Sequence, residues 1–253
     1  MTKQNFELIW QLAKTDFKIR YNGSVLGYLW ALLKPLLIFL ILNFVFSNVF
    51  GKNIPNYSIN LLTGIILWTY FAEATSVGIS ALLSKANLIT KVKISKTAII
   101  FASTINSTIT FLINLVILVV FFIGYHITPS LLGILLFLIF LVILYGLVLG
   151  ITFLSAPLFV KYRDLNQIWE VLLTLGFYAS PIIYPLSLIP TKYQTFMWIN
   201  PMSYIINYSK LALINNQFIT LGRFGILIAV VSFILVSGIL VFSKMKPKVA
   251  ENI

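Results

Sequence analysis

The chain has 253 residues, of which 60% are hydrophobic and 9% charged; it carries 18 Lys and Arg against 6 Asp and Glu, one His and no Cys. A soluble domain is about 25% charged, so this composition cannot cover an ordinary water-facing surface, and a bilayer is the natural solvent. Disulfides and cysteine-ligated metals are excluded, and one histidine with a few scattered acids supports neither a metal site nor a catalytic residue.

Residues 1–28 read as a cytoplasmic helix and loop. Over 3–21, Phe6, Trp10, Ala13 and Phe17 share one helical face, and Glu7, Gln11, Lys14 and Lys18 another, with Asp16 and Arg20 interrupting the apolar side. That pattern predicts an amphipathic helix in the membrane interface, although a helix packed on protein gives the same wheel. The first twenty residues hold no continuous apolar core of the signal-peptide kind, so the first span is expected to act as its own targeting signal.

A helical span needs about 20 mainly apolar residues. Six stretches qualify or nearly so: 29–50, 59–83, 98–125, 131–160, 167–184 and 224–242. The expected fold is therefore all-α, a single integral membrane domain over 1–253, with six spans within 29–243 and a tail at 244–253. Residues 185–222 are too long and too apolar for an ordinary loop. Asn200-Pro201 makes a good helix start, Asn as cap and Pro at the first helical position. Two short re-entrant helices on the outer side are predicted there; such broken structure persists at membrane depth only where protein or a wet cavity satisfies its backbone.

Fourteen of the eighteen basic residues fall in the N-terminal segment, the second-to-third and fourth-to-fifth connections and the tail, leaving Lys52, Lys192, Lys210 and Arg223 opposite. The positive-inside rule places both termini in the cytoplasm. It also accounts for the net charge of +12 by topology, without nucleic acid.

Two features stand out within the spans. Glu73 lies near the middle of the second, where a charge costs about 2.5–3.5 kcal/mol on insertion scales, so it faces protein or water: a cavity-lining or gate residue, or a buried structural carboxyl. Tyr70, Tyr178, Tyr184 and Trp198 fall near the expected outer ends of the second and fifth spans and in the segment that follows. Aromatic faces stack on sugar C–H faces, which would hold a polymer weakly at many points; each of these residues also reads as an interfacial anchor. The pair Gly51-Lys52 lacks the remaining residues of a P-loop, so no ATP site is recognisable.

The run Asp16-Phe17-Lys18-Ile19-Arg20-Tyr21-Asn22-Gly23-Ser24-Val25-Leu26-Gly27-Tyr28-Leu29-Trp30, followed by Lys34-Pro35, resembles the N-terminal signature of O-antigen and related polysaccharide ABC exporter permeases. Ala86-Asn87-Leu88-Ile89-Thr90-Lys91-Val92 is similar to that family's second-to-third connection, though here it ends Lys93-Ile94-Ser95-Lys96 without the usual basic-aromatic-Pro pattern. Ser180-Pro181-Ile182-Ile183-Tyr184-Pro185 and Asn200-Pro201-Met202 resemble its outer re-entrant region.

The resemblance implies a transport subunit that is not itself an enzyme. It implies a permease homodimer in the bacterial inner membrane, bound to two copies of a separate ATPase that holds the ATP and magnesium. The cargo implied is a polysaccharide on undecaprenyl pyrophosphate, with teichoic-acid or capsule export, or export of a small drug or lipid, as alternatives. On this reading Lys14, Lys18, Arg20 and Lys34 flank the entrance and attract the lipid pyrophosphate, or else ordinary anionic head groups. Asn87, Leu88, Ile89, Lys91 and Lys93 dock on the ATPase. Arg163 and Asp164 form a second contact or a local ion-paired turn. Glu73, Tyr70, Tyr178, Tyr184 and Trp198 line the channel or gate.

Overall fold

The computed structural model describes residues 3–21, 26–27, 29–51, 54–92 and 94–250. Among these the regular elements are all helical: α1 (Lys3–Tyr21), α2 (Leu29–Phe50), α3 (Tyr57–Ser84), α4 (Ala86–Lys91), α5 (Lys96–Gly124), α6 (Leu131–Lys161), α7 (Leu165–Tyr178), α8 (Thr191–Met197), α9 (Pro201–Lys210) and α10 (Leu221–Met245). A π turn, Leu211–Asn215, continues α9, and a 3-10 turn, Pro247–Ala250, follows α10.

Five helices, α2, α3, α5, α6 and α10, are long and apolar enough to cross a membrane. The expected fifth span, 167–184, is helical only to Tyr178. At 14 residues α7 is about 21 Å long, short of a hydrocarbon core of about 30 Å. The cause is local: Pro181 has no N–H to donate and disfavours helical backbone at Ser180. Two short helices, α8 and α9, occupy the stretch for which a pair was expected.

Capping fixes several helix starts. The Ser130 hydroxyl accepts from the Gly133 amide at 3.1 Å at the head of α6, and the Asn200 side chain accepts from the Met202 amide at 2.9 Å with Pro201 at the first turn of α9.

α3 is the central post. Leu61, Leu62, Ile65, Ile66, Ile79 and Leu82 are fully enclosed because α2, α5, α6, α7 and α9 all pack on it. By contrast α7 buries no residue, and α2 and α10 leave large apolar side chains such as Phe44 and Phe233 bare. Bare apolar surface on this scale would drive aggregation in water and is stable in lipid or against another membrane protein.

α1 packs on α5 through Ala13, from the apolar face its wheel showed, and through Ile9 beside it. Ile9 and Ala13 are buried against Ala98 and Ala102 of α5, while Trp10 is 52% exposed. Small side chains on α5 let α1 approach closely there, and the bulky indole is left to the surroundings.

α6 and α10 touch backbone to backbone. A Cβ placed on Gly238 would stand 2.2 Å from the Gly150 carbonyl oxygen. Gly238→Leu should therefore force the pair apart, costing about 1–3 kcal/mol and lowering the melting temperature of the purified protein. An unchanged melting temperature would show that the two helices part freely.

Candidate functional site

Among the described residues, polar groups gather at three places in particular. The first is a cavity of about 150 Å³ between α2, α3 and α5, lined by Trp30, Lys34, Tyr70, Glu73, Ser107 and Asn114 among others. It brings together Lys34, expected at an entrance, with Tyr70 and Glu73, expected at a gate. Tyr70 lies near the middle of α3, not near its end as the sequence suggested. Its hydroxyl shares a hydrogen bond of 2.9 Å with Thr108, and its ring stacks on Phe111 at 4.3 Å between centroids. It is thus separate from the other three aromatics.

Sequence reading missed a polar face of α5, of which Ser107, Thr110 and Asn114 line this cavity while Ser103 and Asn106 border a separate pocket with Asp16 and Lys85. Ser103, Asn106, Ser107, Thr110 and Asn114 are all buried and recur every three or four residues, the spacing that puts them on one helix face. Among the described residues, Asn106 Oδ1, Ser107 Oγ and Asn114 Oδ1 are buried without a partner. Each such group costs about 1–3 kcal/mol if left dry, so this face is suited to water or another hydroxyl-bearing group. The 3–4 spacing was visible in the sequence, hidden by the strong apolar background of the span.

The second site lies at the end of the bundle bearing α8 and α9. The chain turns sharply after α7, and side chains from other elements hold the turn residue by residue. Lys210 Nζ donates to the carbonyls of Pro181 at 2.6 Å and Ile182 at 3.1 Å, the Tyr57 hydroxyl donates to the Ile183 carbonyl at 2.9 Å, and Asn200 Nδ2 donates to Ser180 Oγ at 3.0 Å. Tyr184 spends its hydroxyl on the Tyr178 carbonyl at 2.6 Å. Lys210 is the surprise. Counted in the sequence only among the outer-side basic residues, it is buried at 9% exposure, and burial pulls its ammonium down to about 7.

Trp198 stacks on Tyr208 and meets Tyr204 at a tilt, and Arg223 lies 5.0 Å from the Trp198 ring while donating to the Tyr208 hydroxyl at 2.7 Å. This knot ties the α8–α9 junction to the first turn of α10. Tyr178, with its ring exposed, instead borders an apolar groove with Trp68 and Phe177.

The third site is the opposite end, where α1 and α4 meet. Lys85, just before α4, forms an ion pair with Asp16 of α1. Ile89 is the buried residue of α4, Leu88 is half-buried, and Asn87 and Lys91 are exposed; Lys93 lies outside the described residues. Lys14 and Lys18 are exposed along α1, whereas the Arg20 side chain lies outside the described set. Arg163 and Asp164 stand exposed in the turn between α6 and α7, at this same end.

The ABC-2 type transporter family matches residues 7–214. An O-antigen export system permease protein, RfbA, of Klebsiella pneumoniae is 32% identical over 97% of this chain and 95% of its own length. The RfbA of Myxococcus xanthus is 32% identical over 77% and 75%. A polysialic acid transport protein, KpsM, of Escherichia coli is 24% identical over 83% and 84%. An all-helical bundle of apolar spans, matched nearly end to end by such permeases, leaves one assignment: the chain belongs to the ABC-2 type transporter family, as a permease related to the O-antigen and polysialic acid exporters.

Proposed function

We propose that this chain is the membrane subunit of an ATP-driven exporter that moves undecaprenyl-pyrophosphate-linked polysaccharide of the O-antigen type from the inner to the outer leaflet of a bacterial inner membrane. The observation that carries this reading is the 32% identity to an O-antigen export permease along 97% of the chain. Two copies would form the conduit, and two copies of a separate P-loop ATPase would bind the α1–α4 end. The bare apolar faces of α2 and α7 suit a helical seam between copies or lipid.

In this reading α7 and the turn after it make a sixth crossing, α8 and α9 dip into the outer leaflet, and both termini are cytoplasmic. Lys14, Lys18, Arg20 and Lys34 meet the lipid pyrophosphate. Glu73 and Tyr70 belong to the polar cavity on the path from that entrance, and Tyr178, Tyr184 and Trp198 serve the outer gate. Asn87, Leu88, Ile89, Lys91 and Lys93 engage the ATPase, with Arg163 and Asp164 as a second contact. The 24% identity to a polysialic acid transport protein keeps capsule export as the second reading. Deleting the gene and staining surface polysaccharide tests the assignment; loss of the polymer, restored by the wild-type gene, is expected, and an unchanged surface would sink it.

The topology has its own test. The chain has no cysteine, so single cysteines at Lys3 and Lys248 are clean reporters. Both should resist an impermeant maleimide in intact cells and react after permeabilisation. Fast labelling of either in intact cells contradicts cytoplasmic termini.

A further inference from the structure

α4 has six residues. Isolated helices shorter than about 12–15 residues are marginal in water, so tertiary contacts must hold it. Its one buried side chain, Ile89, joins a small apolar cluster with Leu82, Ile99, Ile100, Phe242 and Val249. Val249 comes from the turn Pro247–Ala250, far along the chain, and is only 2% exposed. A valine set among Lys244, Lys246 and Lys248 would stay in water unless the tail folded back.

Specific bonds hold that fold-back. Lys96 Nζ, at the head of α5, donates to the Lys246 carbonyl at 2.6 Å, and the Lys246 amide donates to the Phe242 carbonyl at 2.7 Å. Lys246 Nζ reaches Thr97 Oγ1 at 3.5 Å. The turn Pro247–Ala250 lies against both α10 and α4. On the other side Lys85 is tied to Asp16 of α1. The short helix is thus gripped from two directions, by an ion pair at its start and by the tail beneath its apolar side.

We propose that the turn Pro247–Ala250 is a clamp that holds α4 in the position from which it engages the ATPase, with Val249 as the positioning residue. The tail then acts in coupling without touching the partner. This rests on the reading that α4 contacts the ATPase, and the two ideas fail differently.

Burial is checked first. A single cysteine at Val249 should react with maleimide in permeabilised cells about tenfold more slowly than one at Lys248, as expected for a site that opens only by local unfolding; equal rates would overturn the fold-back. Coupling is checked with Val249→Asp, Val249→Ile and Leu88→Asp, each co-expressed with the ATPase. Val249→Asp should weaken ATPase co-purification about tenfold, the scale of losing a well-packed contact, and should lower the polymer exported per ATP hydrolysed. Val249→Ile should restore both. A loss of stability alone would reduce export and hydrolysis in proportion and leave that ratio unchanged, which would overturn the clamp. Normal coupling in Val249→Asp with defective Leu88→Asp overturns the clamp and leaves the α4 contact standing. Normal coupling in both overturns the α4 contact itself. Should Val249→Asp fail to accumulate in the membrane, Val249→Ala carries the same comparison with a smaller expected loss.

Discussion

A Lys210→Met variant is expected to insert and fold, yet to loosen the turn that follows α7. Methionine keeps the length and apolar stem of lysine but has no proton to donate. The carbonyls of Pro181 and Ile182, both buried residues, would lose their bonds from Nζ beside a cavity of about 130 Å³. An unsatisfied buried carbonyl costs about 1–3 kcal/mol, and the turn cannot recover helical bonds because Pro181 interrupts the backbone pattern. Opening of residues 180–184 should rise accordingly. A reporter cysteine at Ile183, buried in the parent, should then label about ten- to a hundredfold faster. If this turn is the outer gate, ion leak through the purified protein rises in parallel. An unchanged labelling rate would show that Tyr57 and Asn200 suffice and that the lysine is dispensable. Because Lys210 also presses on the backbone of α3, where a Cβ on Gly64 would stand 3.1 Å from its Cε and Nζ, arginine should not substitute for it.

The second large effect is expected at α4. Leu88→Asp should leave the permease in the membrane and abolish export. Leu88 is half-buried beside the buried Ile89, so an aspartate there breaks the apolar character of the helix at the point proposed to seat in the ATPase. A central contact of this kind is worth 2 kcal/mol or more, roughly thirtyfold in affinity. ATPase co-purification should fall on that scale, with basal ATP hydrolysis by the free ATPase unaffected. Export and association at parental levels would remove α4 as an essential contact.

Much of this architecture was legible in the sequence because hydrophobicity over 18 or more residues is a strong signal and caps are local. The helices α2, α3, α5, α6 and α10 follow from the first, and Asn200-Pro201 from the second. What escaped depends on contacts distant in the chain. Nothing around Lys210 marks it as buried, since its acceptors lie almost thirty residues earlier. On α1 the wheel already marked Ala13, but the burial of Ile9 depends on Ala98 and Ala102 of α5, which lie far along the chain. The end of α7 at Tyr178 was overlooked because apolar residues continue past it, although Ser180-Pro181 carried the stop signal. The polar face of α5 was legible in principle, since Ser103, Asn106, Ser107, Thr110 and Asn114 keep helical spacing. Tyr70 was placed too close to one end because its neighbours, not its position within the span, guided the reading.

ATP-driven movement of a lipid-linked polysaccharide through this permease is tested most directly in inverted membrane vesicles. Vesicles containing the permease and its ATPase are supplied with the undecaprenyl-linked polymer on their outer, originally cytoplasmic, face. A glycosidase added outside then reports how much polymer remains accessible. The polymer should become protected upon addition of ATP, and should stay accessible with a non-hydrolysable analogue or with Leu88→Asp. Polymer that remains fully accessible in ATP, with the permease and ATPase assembled and hydrolysing, would contradict the assignment.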